Sequence, residues 1–389
     1  MHSLNPSDNL STGLPARIWV GEERRSEPRE TQFLCDLARR VYERSQRAWP
    51  ERQAVLMVGK HPCYLNALSK LEKVAGFDEP VLITGESGVG KELAARAVYL
   101  LSQRCGKPFV SVNCPQYQEG NLTVSELFGH EKGSFTGAVE RRRGCFEEAN
   151  AGLVFLDEIG DLHMNAQVML LRALAEGEYQ RIGSNRTQRM NVRVVACTNR
   201  SLNGMMKDET FRNDLFFRLR YFAVHIPPLR ERGDDWQLLI RYFLDKLAAR
   251  YRVVKTFSKS AMALLHKHSW PGNVRELHSI VTAGYAMADG PKIEIEHFVD
   301  MLETSARQQE AGNEVELLDQ MLNGQSSFWE AVYEPFLDRE LNREQVRRLV
   351  RLGLEQSNGC YRDLVPRLGI EHDGYQKFMD FLRHHRLKP

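Results

Sequence analysis

No stretch of this 389-residue chain stays apolar over the ~18 consecutive positions that a bilayer-spanning helix needs, which argues against a membrane-spanning protein. Met1 to Gly13 are polar and lack the basic start and apolar stretch of a secretory signal. A cytoplasmic location is the expectation. Cysteine pairs at metal or redox spacing are missing too: Cys35, Cys63, Cys105, Cys114, Cys145, Cys197 and Cys360 are scattered, odd in number and form no CxxC. That pattern suits reduced thiols in a cytosol and gives no reason to assign a zinc site or disulfide frame. Nor is there a large charge excess, because a formal net charge of +2 is too balanced to announce nucleic-acid binding by the chain as a whole. The charge is uneven, however. From Leu341 to Pro389 ten Lys and Arg stand against six acids, so the C-terminal tail is the basic end. Internal repeats are absent.

What is present is enough chain for two or three compact units, since a single core usually stops growing below ~300 residues. Residues 1 to about 30 are rich in Ser, Pro, Glu and Arg without apolar periodicity and read as a flexible arm. Between Thr31 and Trp49, the residues Phe33, Leu34, Leu37, Val41 and Tyr42 recur at helical spacing, predicting one amphipathic helix that stops at Pro50 and either packs on the main domain or docks a partner. From about Ala54 to Pro228, short β-rich runs (Pro80–Thr84, Phe109–Asn113, Leu153–Leu156, Val192–Cys197) alternate with helical patterns. Such alternation predicts an α/β unit with a parallel sheet flanked by helices. From Leu229 to about Glu303 the strands vanish, and Trp236–Tyr251 and Ser260–His268 carry helical periodicity, predicting a small helical subdomain. A polar linker then leads through residues 304–340 to a helical unit at 341–389.

The strand Val81–Thr84 runs into Gly85-Glu86-Ser87-Gly88-Val89-Gly90-Lys91-Glu92 and then the helical pattern Leu93–Leu101. This is the order that a phosphate cradle requires. Small residues let backbone N–H groups close on phosphate oxygens, the helix N-terminus adds partial positive charge, and Lys91 reaches the β- and γ-phosphates. Glu92 stands where the usual motif has a Mg²⁺-binding hydroxyl. A second element, Gly152-Leu153-Val154-Phe155-Leu156-Asp157-Glu158, is a buried-strand pattern ending in two acids, at the strand end where ligands bind in open α/β sheets. Asp157 would hold Mg²⁺ through water and Glu158 would orient the attacking water as general base. ATP and Mg²⁺ are therefore expected. The strand Val192–Cys197 ends in Thr198-Asn199, which either close a turn or hydrogen-bond the attacking water or γ-phosphate. Asn113 likewise either closes a turn or touches the catalytic acid.

With these pieces in order, residues from about Val58 to Glu303 resemble the AAA+ domain of sigma-54-dependent activators, the bacterial enhancer-binding proteins. The most specific element is the run from Glu126 to Ala138, in which Gly133-Ser134-Phe135-Thr136-Gly137-Ala138 looks like the family's sigma-contacting GAFTGA loop, with Ser134 in the place of Ala. An apolar Phe135 among small loop residues would offer surface for a partner to bury. The segment Phe211–Leu219 resembles the one whose two arginines, here Arg212 and Arg218, reach a neighbouring subunit's ATP. Pro227–Arg232 resembles the junction into the helical lid, and Trp270–Leu277 the lid's second sensor, where Arg275 would reach its own subunit's nucleotide. The family shares Glu after the loop lysine, and the resemblance casts Asn113 as the switch that holds Glu158 away from water. Val89 and Cys197 depart from the usual Thr and Ala.

What the resemblance implies is an ATPase ring, a hexamer or heptamer, that remodels the sigma-54 RNA polymerase holoenzyme to open promoters. The alternative is an assembly or repressor ATPase that opens none. Fewer than ~60 residues precede the core, too few for a separate sensor fold, so regulation is expected from a partner or from expression level. The tail loosely resembles a DNA-binding helix-turn-helix, although Pro366 inside its first helix and Gly374 near the start of the second are unfavourable there. A helical oligomerisation or docking module is the other reading.

Overall fold

Five runs rich in β-branched and aromatic residues pair in parallel in the order β2-β3-β6-β1-β7. They are β1 (Val81–Thr84), β2 (Phe109–Asn113), β3 (Leu153–Asp157), β6 (Arg193–Thr198) and β7 (Phe222–His225). The structure is a computed structural model that describes residues 35–49, 54–116, 120–135, 138–302, 317–338, 341, 343–357 and 359–388. The expected flexible arm and the polar stretch after Leu302 lie outside the described residues.

Side-chain alternation sends Val81, Ile83, Phe155 and Val195 to one face, against α2 (Pro62–Ala75) and α3 (Lys91–Leu101). It sends Leu82, Val154, Leu156 and Val194 to the other face, against α4 (Gly120–Phe128), α6 (Met164–Glu176) and α8 (Asn213–Leu219). With both faces covered, β3 and β6 are buried almost throughout, which is why they read as continuous apolar runs. The edge strand β7 escaped the sequence reading because Phe222-Ala223-Val224-His225 is short and half exposed. Two further segments, β4 (Glu178–Gln180) and β5 (Thr187–Arg189), form a hairpin whose polar composition carries no strand signal.

The predicted N-terminal helix is α1 (Asp36–Ala48). It lies on the main domain: Arg44 donates to the Leu100 carbonyl at the end of α3 (2.9 Å), and Trp49 stacks on Tyr99. The remaining elements of the main unit are α5 (Cys145–Glu148) and α7 (Leu202–Lys207). Beyond it, α9 (Asp235–Tyr251), α10 (Lys259–His266) and α11 (Asn273–Met287) form the helical subdomain, with a two-strand pair, β8 (Thr256–Phe257) and β9 (Lys292–Ile293).

The C-terminal unit has its own core around Phe328, Val350, Leu364, Phe378 and Leu382, with helices at Arg343–Gln356, Tyr361–Arg367 and Tyr375–His384. The two residues that looked unfavourable are both accommodated. Pro366 falls in the last turn of a helix that ends one residue later, so a single backbone bond is forgone on an exposed face. Gly374 sits at the N-cap of its helix rather than inside it, a position glycine tolerates.

Candidate functional site

The loop between β1 and α3 turns on glycines held at positive φ: Gly85 (151°), Gly88 (79°) and Gly90 (100°). Only glycine reaches such conformations without strain. At Gly88 a Cβ would also lie 2.3 Å from the Gly272 carbonyl oxygen of the helical subdomain, so even alanine could not fit there. α3 starts at Lys91 itself, so its free N–H groups and positive dipole end face the loop. The Lys91 side chain is 7% exposed. Its ammonium donates to the Gly85 carbonyl (3.0 Å) and the Glu86 carbonyl (3.3 Å) and pairs with Glu158 Oε1 at 3.1 Å. Val89 is buried, whereas Glu92 points along the exposed side of α3, where Arg96 donates to it (2.6 Å).

Asp157 ends β3 and Glu158 follows in a left-handed conformation, φ 52°, a backbone cost of ~1–3 kcal/mol for a residue with a Cβ. Two contacts hold it there. Besides Lys91, the Asn199 main-chain N–H donates to Glu158 Oε2 (2.8 Å). Thr198 is buried, and its hydroxyl accepts from the Arg200 N–H (3.0 Å). Asn113 lies opposite Asp157 in the β2–β3 ladder, and among the described residues no hydrogen bond joins its side chain to Glu158. The group that does hold the glutamate is a backbone N–H, and composition gives no sign of it. Cys197, which stands in the place of the usual Ala, donates its thiol hydrogen to Asp157 Oδ1 (2.8 Å).

The helical subdomain closes over the loop through Asn273, fully buried at φ 53°. Its side-chain Oδ1 accepts from the Leu229 N–H (2.7 Å), while its Nδ2 donates to Glu86 Oε2 (3.0 Å) and the Ser87 carbonyl (3.1 Å). Arg275 donates to Ser87 Oγ (2.9 Å). Arg230 forks onto both Glu86 oxygens (2.8 and 2.5 Å), and its hydrogen bonds, helped by Asn273, hold the Glu86 carboxyl below the ordinary range. Arg232 is buried over the Tyr64 ring at 3.6 Å and paired with Asp235. The sequence pointed to Arg275 but not to Asn273, Arg230 or Arg232. Their partners at Glu86 and Tyr64 are more than a hundred positions away, and no short-range pattern records such pairings. The open cavity at this junction, about 390 Å³, is lined by residues 87–93, Asp157, Glu158, Val58, Tyr64, Phe243, Arg275 and His278 among others. Burial, then the nearby Lys246, keeps the His278 ring below its ordinary value and so neutral at pH 7.

Residues 57–225 match the family described as Sigma-54 interaction domain, and residues 230–315 match the AAA+ ATPase lid domain. The core thus carries a sigma-54 interaction domain followed by an AAA+ lid domain. The Nif-specific regulatory protein of Azotobacter vinelandii is 46% identical over 234 residues, 60% of this chain and 45% of that protein. The transcriptional regulatory protein ZraR of Escherichia coli K12 is 48% identical over 238 residues, 61% of this chain and 54% of that protein. The crystal structure of NtrX from Brucella abortus in complex with ATP aligns with a TM-score of 0.58 at 28% identity, covering 84% of this chain and 69% of that one. The chain thus spans about half the length of the curated relatives it matches. No helix among the described residues is long and apolar enough to cross a membrane.

In this sigma-54 interaction domain the stem of the Gly133–Ala138 loop is clasped by the β4–β5 hairpin. The Glu131 N–H donates to the Ile182 carbonyl (3.0 Å), and the Gly133 N–H donates to the Ala138 carbonyl (2.8 Å). Phe135 is less exposed than a bare loop ring would be, since it packs edge-on against His130 at 5.0 Å. Ser134 sits against Gly183, with its hydroxyl buried and no protein partner among the described residues. Thr136 and Gly137 lie outside the described residues. Arg212 and Arg218 do not line the loop cavity. Arg212 is partly exposed and paired with Asp214, and Arg218 donates twice to the Leu174 carbonyl (2.9 and 2.8 Å).

An AAA+ domain of this kind implies Mg²⁺ with its nucleotide, and the donor set suits it. Asp157 is a hard carboxylate at the cavity wall, and among the described residues no protein hydrogen bond reaches its Oδ2. Hard oxygen donors with retained waters are what this ion prefers.

Proposed function

We propose that this chain is an ATP-driven activator of transcription that acts on the sigma-54 RNA polymerase holoenzyme, as a homo-oligomeric ring of six or seven subunits in the cytoplasm. The reading is carried by the Lys91–Glu158 pair at the loop cavity, inside a core of the sigma-54 interaction family. The ammonium occupies the place where β- and γ-phosphates dock, and the carboxylate the place where an attacking water stands.

ATP enters with its phosphates on the Gly85–Glu92 loop, where the backbone N–H groups and the α3 dipole are already aimed, and its base against Val58, Tyr64 and Phe243. Lys91 then exchanges Glu158 for phosphate oxygens. That exchange frees Glu158 to take a proton from the attacking water while Thr198 and Asn199 hold the water or γ-phosphate. Asn113, at the end of β2, restrains Glu158 until the partner is engaged. Bound through water to Asp157, Mg²⁺ would neutralise charge developing on the phosphates. Arg275 contacts the nucleotide of its own subunit, and Arg212 and Arg218 reach the neighbour's. The Gly133–Ala138 loop, with Ser134, Phe135, Thr136 and Gly137 between its ends, touches sigma-54 and moves with the γ-phosphate state.

Thr136→Ala tests this reading, because a small loop substitution usually shifts stability by only about ±0.5 kcal/mol and none of the loop's described residues lines the nucleotide cavity. The expected result is continued ATP hydrolysis with loss of sigma-54 binding in ADP–aluminium fluoride and loss of open complexes on a sigma-54 promoter. Full opening by the mutant would show that another surface engages the polymerase. An unmutated protein that neither binds sigma-54 nor opens the promoter would make it the assembly or repressor ATPase instead.

The same proposal assigns DNA binding to the tail, where Arg362, Arg367, Lys377 and Arg383 are exposed. Removing the residues after Leu341 is expected to weaken binding to upstream DNA and flatten its dependence on salt. The logarithmic slope should fall by about one for each phosphate that the tail no longer neutralises. Identical retention of DNA by the full and shortened chains across salt would make the tail a docking module.

A further inference from the structure

Cys197 and Asp157 are neighbours by construction of the sheet. β3 and β6 run parallel with Leu156 opposite Ala196, so the next residue on each strand, Asp157 and Cys197, stands side by side on one sheet face. That face is the one carrying Leu153, Phe155 and Val195, all fully buried. The thiol therefore lies between an apolar floor and the carboxylate, and its hydrogen bond to Oδ1 (2.8 Å) is the contact that ties Asp157 to the neighbouring strand. Oδ2 is left for the cavity. Cys197 itself is fully buried and does not line the cavity, so it has no contact of its own with nucleotide or ion.

We propose that Cys197 is a positioning residue for the metal, fixing the Asp157 carboxylate in the orientation that presents Oδ2 to water-held Mg²⁺. This rests on the ATPase reading above. With a methyl group at position 197, Oδ1 faces hydrocarbon with no donor, and the half-buried carboxylate must either turn or recruit water to satisfy it. Turning moves Oδ2 as well, because the two oxygens share one rigid group. A thiol is a weak donor, but a donor already in place orders the carboxylate before the ion arrives, as outer hydrogen-bond partners commonly do for ligating carboxylates.

The test compares Cys197→Ala with Cys197→Ser in the full chain. Serine exchanges the sulfur for a smaller oxygen that can still donate, whereas alanine removes the γ atom and its donor together. Mn²⁺ uptake in the presence of a non-hydrolysable ATP analogue, followed by the loss of the free-ion electron paramagnetic resonance signal, reads metal affinity without turnover. Binding of a fluorescent ATP analogue in EDTA reads the metal-free nucleotide site. The expected result is Mn²⁺ affinity about tenfold weaker in Cys197→Ala, the low end of the ~10–100-fold cost of losing such a partner. Serine should restore it to within about twofold, and binding in EDTA should be alike in all three proteins. Equal Mn²⁺ affinities in the alanine and serine variants, shifted or not, would overturn the positioning role. Wild-type protein that binds the analogue in EDTA but takes up no Mn²⁺ with it would overturn the role, and one that binds no nucleotide at all would sink the ATPase reading together with it.

Discussion

Glu158→Gln is expected to bind ATP as well as the unmutated chain and to hydrolyse it about 10²–10⁴-fold more slowly, the usual contribution of a positioned general base. The amide keeps the size of the side chain and can still accept from the Asn199 N–H that now holds Oε2. It loses the charge that pairs with Lys91, so the lysine is no less available to phosphate than before. The companion substitution, Lys91→Ala, behaves differently. It removes a buried ammonium that faces the loop and should abolish nucleotide binding. Titration with a fluorescent nucleotide and phosphate release, measured on the same preparations, separate the two effects. Unchanged turnover in Glu158→Gln would remove the residue from the catalytic role.

A still larger loss is expected from Arg218→Ala, about 10³–10⁵-fold in turnover if this arginine completes the neighbour's site, as transition-state arginines do in phosphoryl transfer. Within one subunit the guanidinium is turned away from the nucleotide cavity and bound twice to the Leu174 carbonyl at the end of α6. Any nucleotide it served would be a neighbouring chain's, reached by leaving that carbonyl or through the Nη1 donors that the carbonyl does not use. Three consequences can be measured. Hydrolysis should rise faster than linearly with protein concentration. Arg218→Ala alone should be nearly inactive at every concentration. Mixing it with Glu158→Gln should restore part of the activity, because the second subunit lends its arginine to the intact Glu158 of the first. Constant turnover per subunit down to a demonstrated monomer would exclude an arginine supplied across an interface.

Much of the architecture was legible because its determinants are local. A four-residue run with three β-branched side chains, three glycines in six positions and a helix opening on lysine occupy one continuous segment, so their order alone announces a strand, a turn of glycines and a helix. The apolar run ending in Asp157 and Glu158 is likewise continuous, since burial on both sides of a parallel sheet removes the polar alternation that an exposed strand would show. Pro366 and Gly374 misled for the opposite reason. Their penalties apply to helix interiors, and only the helix ends found in the structure put one in a last turn and the other at a cap.

By itself, the sequence determined the class of fold, the glycine loop between β1 and α3 and the two acids at the end of β3, all of which are written in neighbouring residues. The tertiary structure alone decided which groups meet around them. The Asn199 N–H on Glu158, the Cys197 thiol on Asp157, and Asn273 and Arg230 on Glu86 join segments between 40 and 187 positions apart. Such contacts depend on the strand order β2-β3-β6-β1-β7 and on the closure of the helical subdomain over the loop. Side-chain periodicity says which face of a strand is buried, but not which strand lies beside it, and the partner of a polar group is set by that neighbour.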